Sequence, residues 1–418
     1  MARHSQSLSV GADNTRHLSL GVLALCFPAA EVQRIITQCG RASRRVRDLP
    51  AVVTAFYVIA LSLFPSVGYQ SVLRWLLCGL QWLGAGSLRL SGKGSLSRAR
   101  QRLGEEPMRR IFTQLARPLA DAQLAGSYWK QLHVVALDGS TLALQDTRAN
   151  AAAFGRPGNQ HGAAAYPRAR LVALAEVGTH LIFEARLGRY TDSELALAAE
   201  LVAALQPGMI CLADRLFPGY HFWKKAAATG AHLLWRAKTA LPLEPIEALA
   251  DGSWLARWPA PPRTKDASGD ASEVVVRVVE YRLDSQQAEP YRLITTLRDP
   301  ALASARELAA FYPQRWEIEL TIQEGKNVLR QNQLTLRSKV PELVRQEFWG
   351  LLLAHHLVRK MMARAALASG EDPDRFSFAA SAEIIKSTLT GPVLSFPPSP
   401  TRASAGRNAG QHCGGQGG

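Results

Sequence analysis

Cysteine is scarce. The 418 residues contain five, Cys26, Cys39, Cys78, Cys211 and Cys413, widely spaced and without a Cys-x-x-Cys pair. That argues against a disulfide framework or a cysteine-ligated zinc and fits a reducing cytoplasm. Long apolar runs are also missing. The longest, Leu18–Ala30 and Ala51–Pro65, fall short of the ~20 residues that span a bilayer, and each contains or ends at a proline. The first lies deep in the chain behind a polar stretch with Asp13, which argues against a secretory signal core. Charged residues make up 20% and apolar residues 47%, a balance that excludes a disordered chain and provides for a core. Acid is the minority: 34 Asp and Glu against 49 Lys and Arg give a formal charge of +15. On a folded chain that excess points to a polyanionic partner, most commonly nucleic acid. Charge that serves solubility alone is the plain alternative.

The first 126 residues read as a helical domain. Glu31–Cys39, Ala51–Phe64, Tyr69–Leu83 and Glu106–Leu119 carry apolar residues at three-to-four spacing, punctuated by Gly and Pro. Two basic clusters lie here, one with Arg44 and Arg45, the other with Arg98, Arg102 and Arg109-Arg110. From His133 the texture changes. His133–Asp138, Arg170–Val177, His180–Leu187, Met209–Asp214 and His232–Lys238 read as strands, with helices at Ser193–Leu205 and Tyr220–Ala228. That order predicts a layered α/β domain over 127–240. Residues 241–300 read as a β-rich insertion, with strands at Trp254–Trp258, Glu273–Leu283 and Tyr291–Leu297. Helices resume over 301–370, and 371–418 reads as a largely disordered tail.

Asp138 and Asp214 each close an apolar strand, and a carboxylate there is costly unless it is paired or meets a cation. A helix over Ala310–Leu329 adds Tyr312, Arg315, Glu319 and Lys326. At about 100° per residue all four fall within an arc of roughly 60°. Glu317 and Glu324 fall on another face. Ordinary turn aspartates and a solvated helix with an i,i+4 salt bridge are the plain readings. Two aspartates and a glutamate are also what two-metal phosphoryl transfer needs, with Mg²⁺ or Mn²⁺ as the ions and nearby cations for phosphate.

The motifs resemble those of bacterial DDE transposases of the insertion sequence 4 family. Tyr312-x2-Arg315-x3-Glu319-x6-Lys326 reproduces the family's Y-R-E-K signature with its spacing. Ala213-Asp214-Arg215-x-Phe217 and Leu137-Asp138-Gly139-Ser140 resemble the surroundings of the two aspartates. The resemblance also covers Leu49–Phe64 and Ser95–Gly104, where Arg100-Gln101-Arg102-Leu103-Gly104 looks like the family's N-terminal domain. The resemblance spans roughly residues 18–380. It implies a ribonuclease H-like mixed sheet flanked by helices, with the β-rich insertion and the helical N-terminal DNA-binding domain. It implies cleavage of transposon ends and joining of the 3′-hydroxyl to target DNA. Asp138, Asp214 and Glu319 become the catalytic ligands of two Mg²⁺ or Mn²⁺ ions. Tyr312, Arg315 and Lys326 become contacts to terminal DNA. Double-stranded DNA is the partner, bound by a homodimer in the bacterial cytoplasm at the nucleoid.

Arg44, Arg45, Arg98 and Arg102 are the candidates for binding DNA ends; a solvated charged face is the alternative. Two departures from the family leave a second reading open, a truncated or inactive remnant that only binds DNA. Leu216 stands where the family often has Gly, and the tail lacks a basic, ordered ending. A carboxylate-pair sugar hydrolase needs neither the basic excess nor the Arg/Lys stripe. Asp146 reads as a turn residue on a hairpin partner of the first strand. His161, His180 and His355-His356 read as structural, and Trp254, Trp258 and Tyr291 as an aromatic core of the insertion.

Overall fold

The computed structural model describes residues 21–43, 49–82, 92–159, 162–261, 273–282 and 290–390. Six helices come first: α1 (Gly21–Cys26), α2 (Ala29–Gln38), α3 (Ala51–Leu63), α4 (Tyr69–Trp82), α5 (Lys93–Leu103) and α6 (Glu106–Leu115). Their limits follow the punctuation. Pro28 and Pro50 stand at the N-caps of α2 and α3, and Gly104 closes α5 at φ 74°.

The sheet begins with β1 (Tyr128–Trp129) and β2 (Leu132–Ala143). Helix α7 (Arg148–Phe154) and a small hairpin, β3 (Gly158–Asn159) and β4 (Gly162–Ala163), follow. Then come β5 (Arg168–Glu176), β6 (Ile182–Arg189), α8 (Glu194–Leu201), β7 (Met209–Ala213), α9 (Tyr220–Ala227) and β8 (His232–Ala237). Strands β9 (Glu244–Ala248), β10 (Trp254–Trp258), β11 (Val274–Tyr281) and β12 (Tyr291–Thr295) complete it. The order is β6-β5-β2-β7-β8-β12-β11-β10-β9, with β1 beside β2. β2, β7 and β8 run parallel; β5 and β6 form an antiparallel meander on β2. That five-strand arrangement is ribonuclease H-like.

The insertion continues the same sheet, because β12 pairs antiparallel with β8 at Thr295↔Leu234. Strand β9 escaped the sequence reading because all five of its residues are exposed and it has no apolar period. Helix α7 was missed too, and it moves Asp146 off any hairpin strand. Asp146 lies in the loop before α7, where its carboxylate meets Arg156. Trp258 is buried against Tyr220 and Trp223, so it belongs to the core of this half.

The central strands are apolar on both faces, as strands covered on both sides must be. Val134 and Ala136 of β2 join one core, and Val135 and Leu137 join the other. Helices α8 and α9 cover the second face. The first is covered by the N-terminal helices together with α12 (Pro341–Ser369). The N-terminal helices therefore share a core with one face of the sheet. Gly350 of α12 marks the tightest point: a Cβ there would lie 2.8 Å from Val58 Cγ1 and 2.9 Å from the Val58 carbonyl oxygen. Gly350→Ala is expected to cost about 1–3 kcal/mol by overpacking. The check is chemical denaturation, with a lower midpoint at unchanged slope; an unshifted midpoint would mean that α3 and α12 do not pack this closely.

Helix α13 (Phe378–Thr390) packs on α12, so the chain is folded to residue 390 within the expected tail. Residues 391–418, Arg44, Arg45 and His161 lie outside the described residues.

Candidate functional site

Parallel pairing of β2 and β7 sets Leu137 opposite Ala213, so the next residues, Asp138 and Asp214, emerge at neighbouring positions. Asp214 follows the last residue of β7 and caps a turn. Asp138 instead lies in mid-β2 opposite Ala173 of β5, so it does not close its strand as the sequence suggested; β2 runs on to Ala143 because β5 pairs with it that far. Asp138 Oδ1 accepts from the Gly139 N–H at 2.7 Å, and Asp214 Oδ1 accepts from the Leu216 N–H at 2.5 Å. Leu216 is 54% exposed and is not among the residues with positive φ. A leucine therefore fits this turn without the backbone freedom of glycine.

The glutamate segment is not one continuous α-helix. Helix α10 (Ala305–Phe311) leads into a 3₁₀ stretch, Tyr312–Trp316, then α11 (Glu317–Gln323), then a π turn, Glu324–Val328. Pro313 in the 3₁₀ stretch has no N–H to give an α-helical ladder. Glu324 opens the π turn and is drawn toward α12, where Arg359 Nε donates to it at 2.8 Å and His355 lies at 3.1 Å. π turns are frequent at functional sites. Despite these breaks the expected stripe faces the strand ends. The Tyr312 hydroxyl donates to the Ala213 carbonyl at 3.1 Å, directly before Asp214. Arg315 Nη2 donates to Glu319 Oε1 at 2.7 Å, and its Nη1 lies 3.6 Å from Asp138 Oδ2. Lys326 Nζ donates to Ser140 Oγ at 2.9 Å.

Asp138 feels Glu319 and Asp214 electrostatically, but the ligand oxygens of the three carboxylates do not all fall within 4.8 Å of one another, and Arg315 stands between Asp138 and Glu319. Burial pushes the Asp138 carboxyl up to about 6. The Gly139 N–H and Arg315 oppose that rise, while Glu319 and Asp214 add to it. Arg315 is 5% exposed and bridges two of the three carboxylates, yet Nη1 makes no hydrogen bond. A crowd of hard oxygen donors with one incompletely bonded cation among them suits divalent ions such as Mg²⁺.

Lys326 is held below the usual lysine range by burial and then by Arg168 and Arg330. Arg168 lies on β5 opposite Ala143 and donates to Thr141 Oγ1 at 3.1 Å. The sequence reading did not single out Arg168, because nothing in the local pattern of β5 ties it to Lys326. It also missed Glu194 at the start of α8, whose carboxylate lies against Gly139 and pairs with Arg170 at 3.1 Å. Trp316 and Leu320, both exposed beside Glu319, were missed as well; their apolar character inside a charged signature was the available signal.

The basic clusters divide. Arg98 and Arg102 are exposed. Arg100 is buried and holds Gln346 at 2.8 Å and Ser338 at 3.1 Å. Arg109 and Arg110 pair with Glu106.

A family described as "Insertion element 4 transposase N-terminal" matches residues 17–113, and "Transposase DDE domain" matches 129–357. Transposase InsG for insertion sequence element IS4 of Escherichia coli (strain K12) is 29% identical over 362 residues, 86% of this chain and 80% of that protein. Putative transposase InsZ of the same organism is 28% identical over 192 residues, 46% of this chain and 62% of its own length. A piggyBac transposase synaptic complex with hairpin DNA aligns over 90% of this chain and 80% of its own, at TM-score 0.44 and 11% identity. Among the described residues no helix is long and apolar enough to cross a membrane.

Proposed function

The chain belongs to the insertion sequence 4 family of DDE transposases, and from that premise we propose the following mechanism. Asp138, Asp214 and Glu319 would hold two Mg²⁺ or Mn²⁺ ions, with which the enzyme cuts the transposon ends and joins the 3′-hydroxyl to target DNA. The observation that carries this reading is the register of Asp138 and Asp214 on parallel neighbours beneath Glu319, with Arg315 between. When bound, the ions supply activation of the attacking oxygen and stabilisation of the leaving one.

The remaining work falls to the chain. Arg315 offsets the carboxylate charge and fixes the Glu319 rotamer; Tyr312 fixes the carbonyl before Asp214. In the DNA-free protein both are engaged with protein partners, so contact with terminal DNA requires Arg315 to exchange Glu319 or Asp138 for phosphate. Lys326 and Arg168 are better placed to grip a phosphate, since they repel each other and have hydroxyl partners that remain neutral. Arg98 and Arg102, exposed on α5, extend the phosphate contacts to the N-terminal helices. Joining two ends requires two copies, so a homodimer on DNA at the nucleoid belongs to the same proposal. The turn at Leu216 is unstrained, which favours an active enzyme over a DNA-binding remnant.

The test is cleavage of the element's own terminal inverted repeat in Mg²⁺ or Mn²⁺, beside an Asp214→Ala control. Metal-dependent nicking at the repeat boundary, absent in the control, supports the proposal; equal nicking by both proteins would exclude it. For the phosphate contacts, Arg168→Gln is expected to weaken binding alike on all sequences. It should also reduce the slope of log K against log salt by about 0.9. An unchanged slope would remove Arg168 from the interface.

A further inference from the structure

A second group of ligand-bearing side chains lies behind the glutamate helix. His180 sits in the turn between β5 and β6, in a left-handed conformation with φ 55°, and is 3% exposed. Glu317 is the first residue of α11. Asp374 lies in the short 3₁₀ turn Pro373–Arg375 that follows α12. Among the described residues these are the only three of His, Cys, Asp or Glu whose ligand atoms all fall within 4.8 Å of one another.

Counting protons on the His180 ring shows what is missing. The Thr321 hydroxyl lies 2.8 Å from the Glu317 carbonyl oxygen and donates its one proton there. With that proton so placed, its oxygen, 3.2 Å from His180 Nδ1, accepts, which assigns a ring proton to Nδ1. In a neutral ring Nε2 is then left with a lone pair. It is buried and makes no hydrogen bond, while facing Asp374 Oδ1 at 2.9 Å and Glu317 Oε2 at 3.5 Å. Ionised carboxylates only accept. In that neutral ring three acceptors converge and repel one another; a cation among them removes the repulsion, and a second ring proton given to Asp374 is the competing way to do so.

We propose that His180, Glu317 and Asp374 form a divalent transition-metal site, distinct from the Asp138–Asp214–Glu319 centre, that clamps the start of the glutamate helix. One imidazole and two carboxylates suit Zn²⁺, with water in the fourth position. Thr321 on Nδ1 supplies the outer hydrogen bond that orients a ligating imidazole. Asp374 has a side chain 57% exposed, which leaves an entry path. The three ligands come from distant segments, so no local spacing marks the site in the sequence. Occupancy ties the β5–β6 turn, α11 and the segment after α12 together, two residues before Glu319. The proposal stands independently of DNA cleavage.

The experiment uses the full chain carrying Asp138→Asn and Asp214→Asn, so that zinc uptake reports on this site. Zn²⁺ alone is titrated against a competing fluorescent chelator, and thermal melting is followed in parallel. One equivalent of tight zinc with a rise in melting temperature is expected. Adding Asp374→Asn or Glu317→Gln, both partly exposed and compatible with folding, should weaken zinc affinity about tenfold or more. It should also abolish the zinc-induced rise in melting temperature. Zinc affinity unchanged in both variants, or no zinc uptake by the parent, would overturn the site and leave His180–Asp374 as an imidazolium–carboxylate pair.

Discussion

Alanine at Asp138, Asp214 or Glu319 is expected to abolish cleavage of the terminal repeat while leaving binding to it within a few-fold of wild type. Each removes an oxygen ligand from the carboxylate centre, and none of the three is a cation that meets phosphate. A bound ion contributes several kcal/mol to the transition state, and about 4 kcal/mol corresponds to a loss of roughly a thousandfold. Glu317→Gln should retain most of the activity, because Glu317 faces His180 on the other side of α11. The pair of measurements is single-turnover nicking and gel-shift on the same labelled end. A dead Glu317→Gln beside an active Glu319→Ala would mean that the wrong glutamate has been assigned.

Arg315→Ala is expected to lower both stability and cleavage. The guanidinium is buried against Asp138 and Glu319, and its loss leaves those carboxylates facing each other. Breaking a fully buried ion pair costs about 3–5 kcal/mol, but Glu319 is a third exposed and solvent screens it, so about 2 kcal/mol is expected. Added Mn²⁺ should raise the melting temperature of the variant more than that of wild type, because the ion supplies the missing positive charge. Arg315→Lys should not restore cleavage, since one ammonium cannot fork between two carboxylates. Wild-type melting and cleavage in Arg315→Ala would show that the bridge has no role.

Much of the site was legible in the sequence, for physical reasons. Met209–Asp214 is apolar at every position before its aspartate because the strand is covered on both faces, and that run places Asp214 at a strand mouth. The stripe Tyr312, Arg315, Glu319 and Lys326 reaches the site despite the 3₁₀ stretch and the π turn, as the contacts of Tyr312, Arg315 and Lys326 show. The breaks themselves were hidden, since the reading assumed one uniform period through Pro313. The basic clusters show where a sequence falls silent. Arg98 and Arg100 look alike, yet Arg100 is buried because Gln346 and Ser338 arrive from far along the chain. The same distance concealed the partners of His180, which is buried as a structural histidine would be and meets Glu317 and Asp374 from distant segments. The insertion strands were visible as strands, but their docking onto β8 depends on a pairing that no local pattern encodes.

The most direct measurement is anomalous diffraction at the manganese edge from the protein bound to its terminal repeat with Mn²⁺. The account predicts two peaks at the scissile phosphate, ligated by oxygens of Asp138, Asp214 and Glu319, at roughly 2.0–2.2 Å. No manganese at those carboxylates in an end-bound, cleavage-competent complex would contradict it.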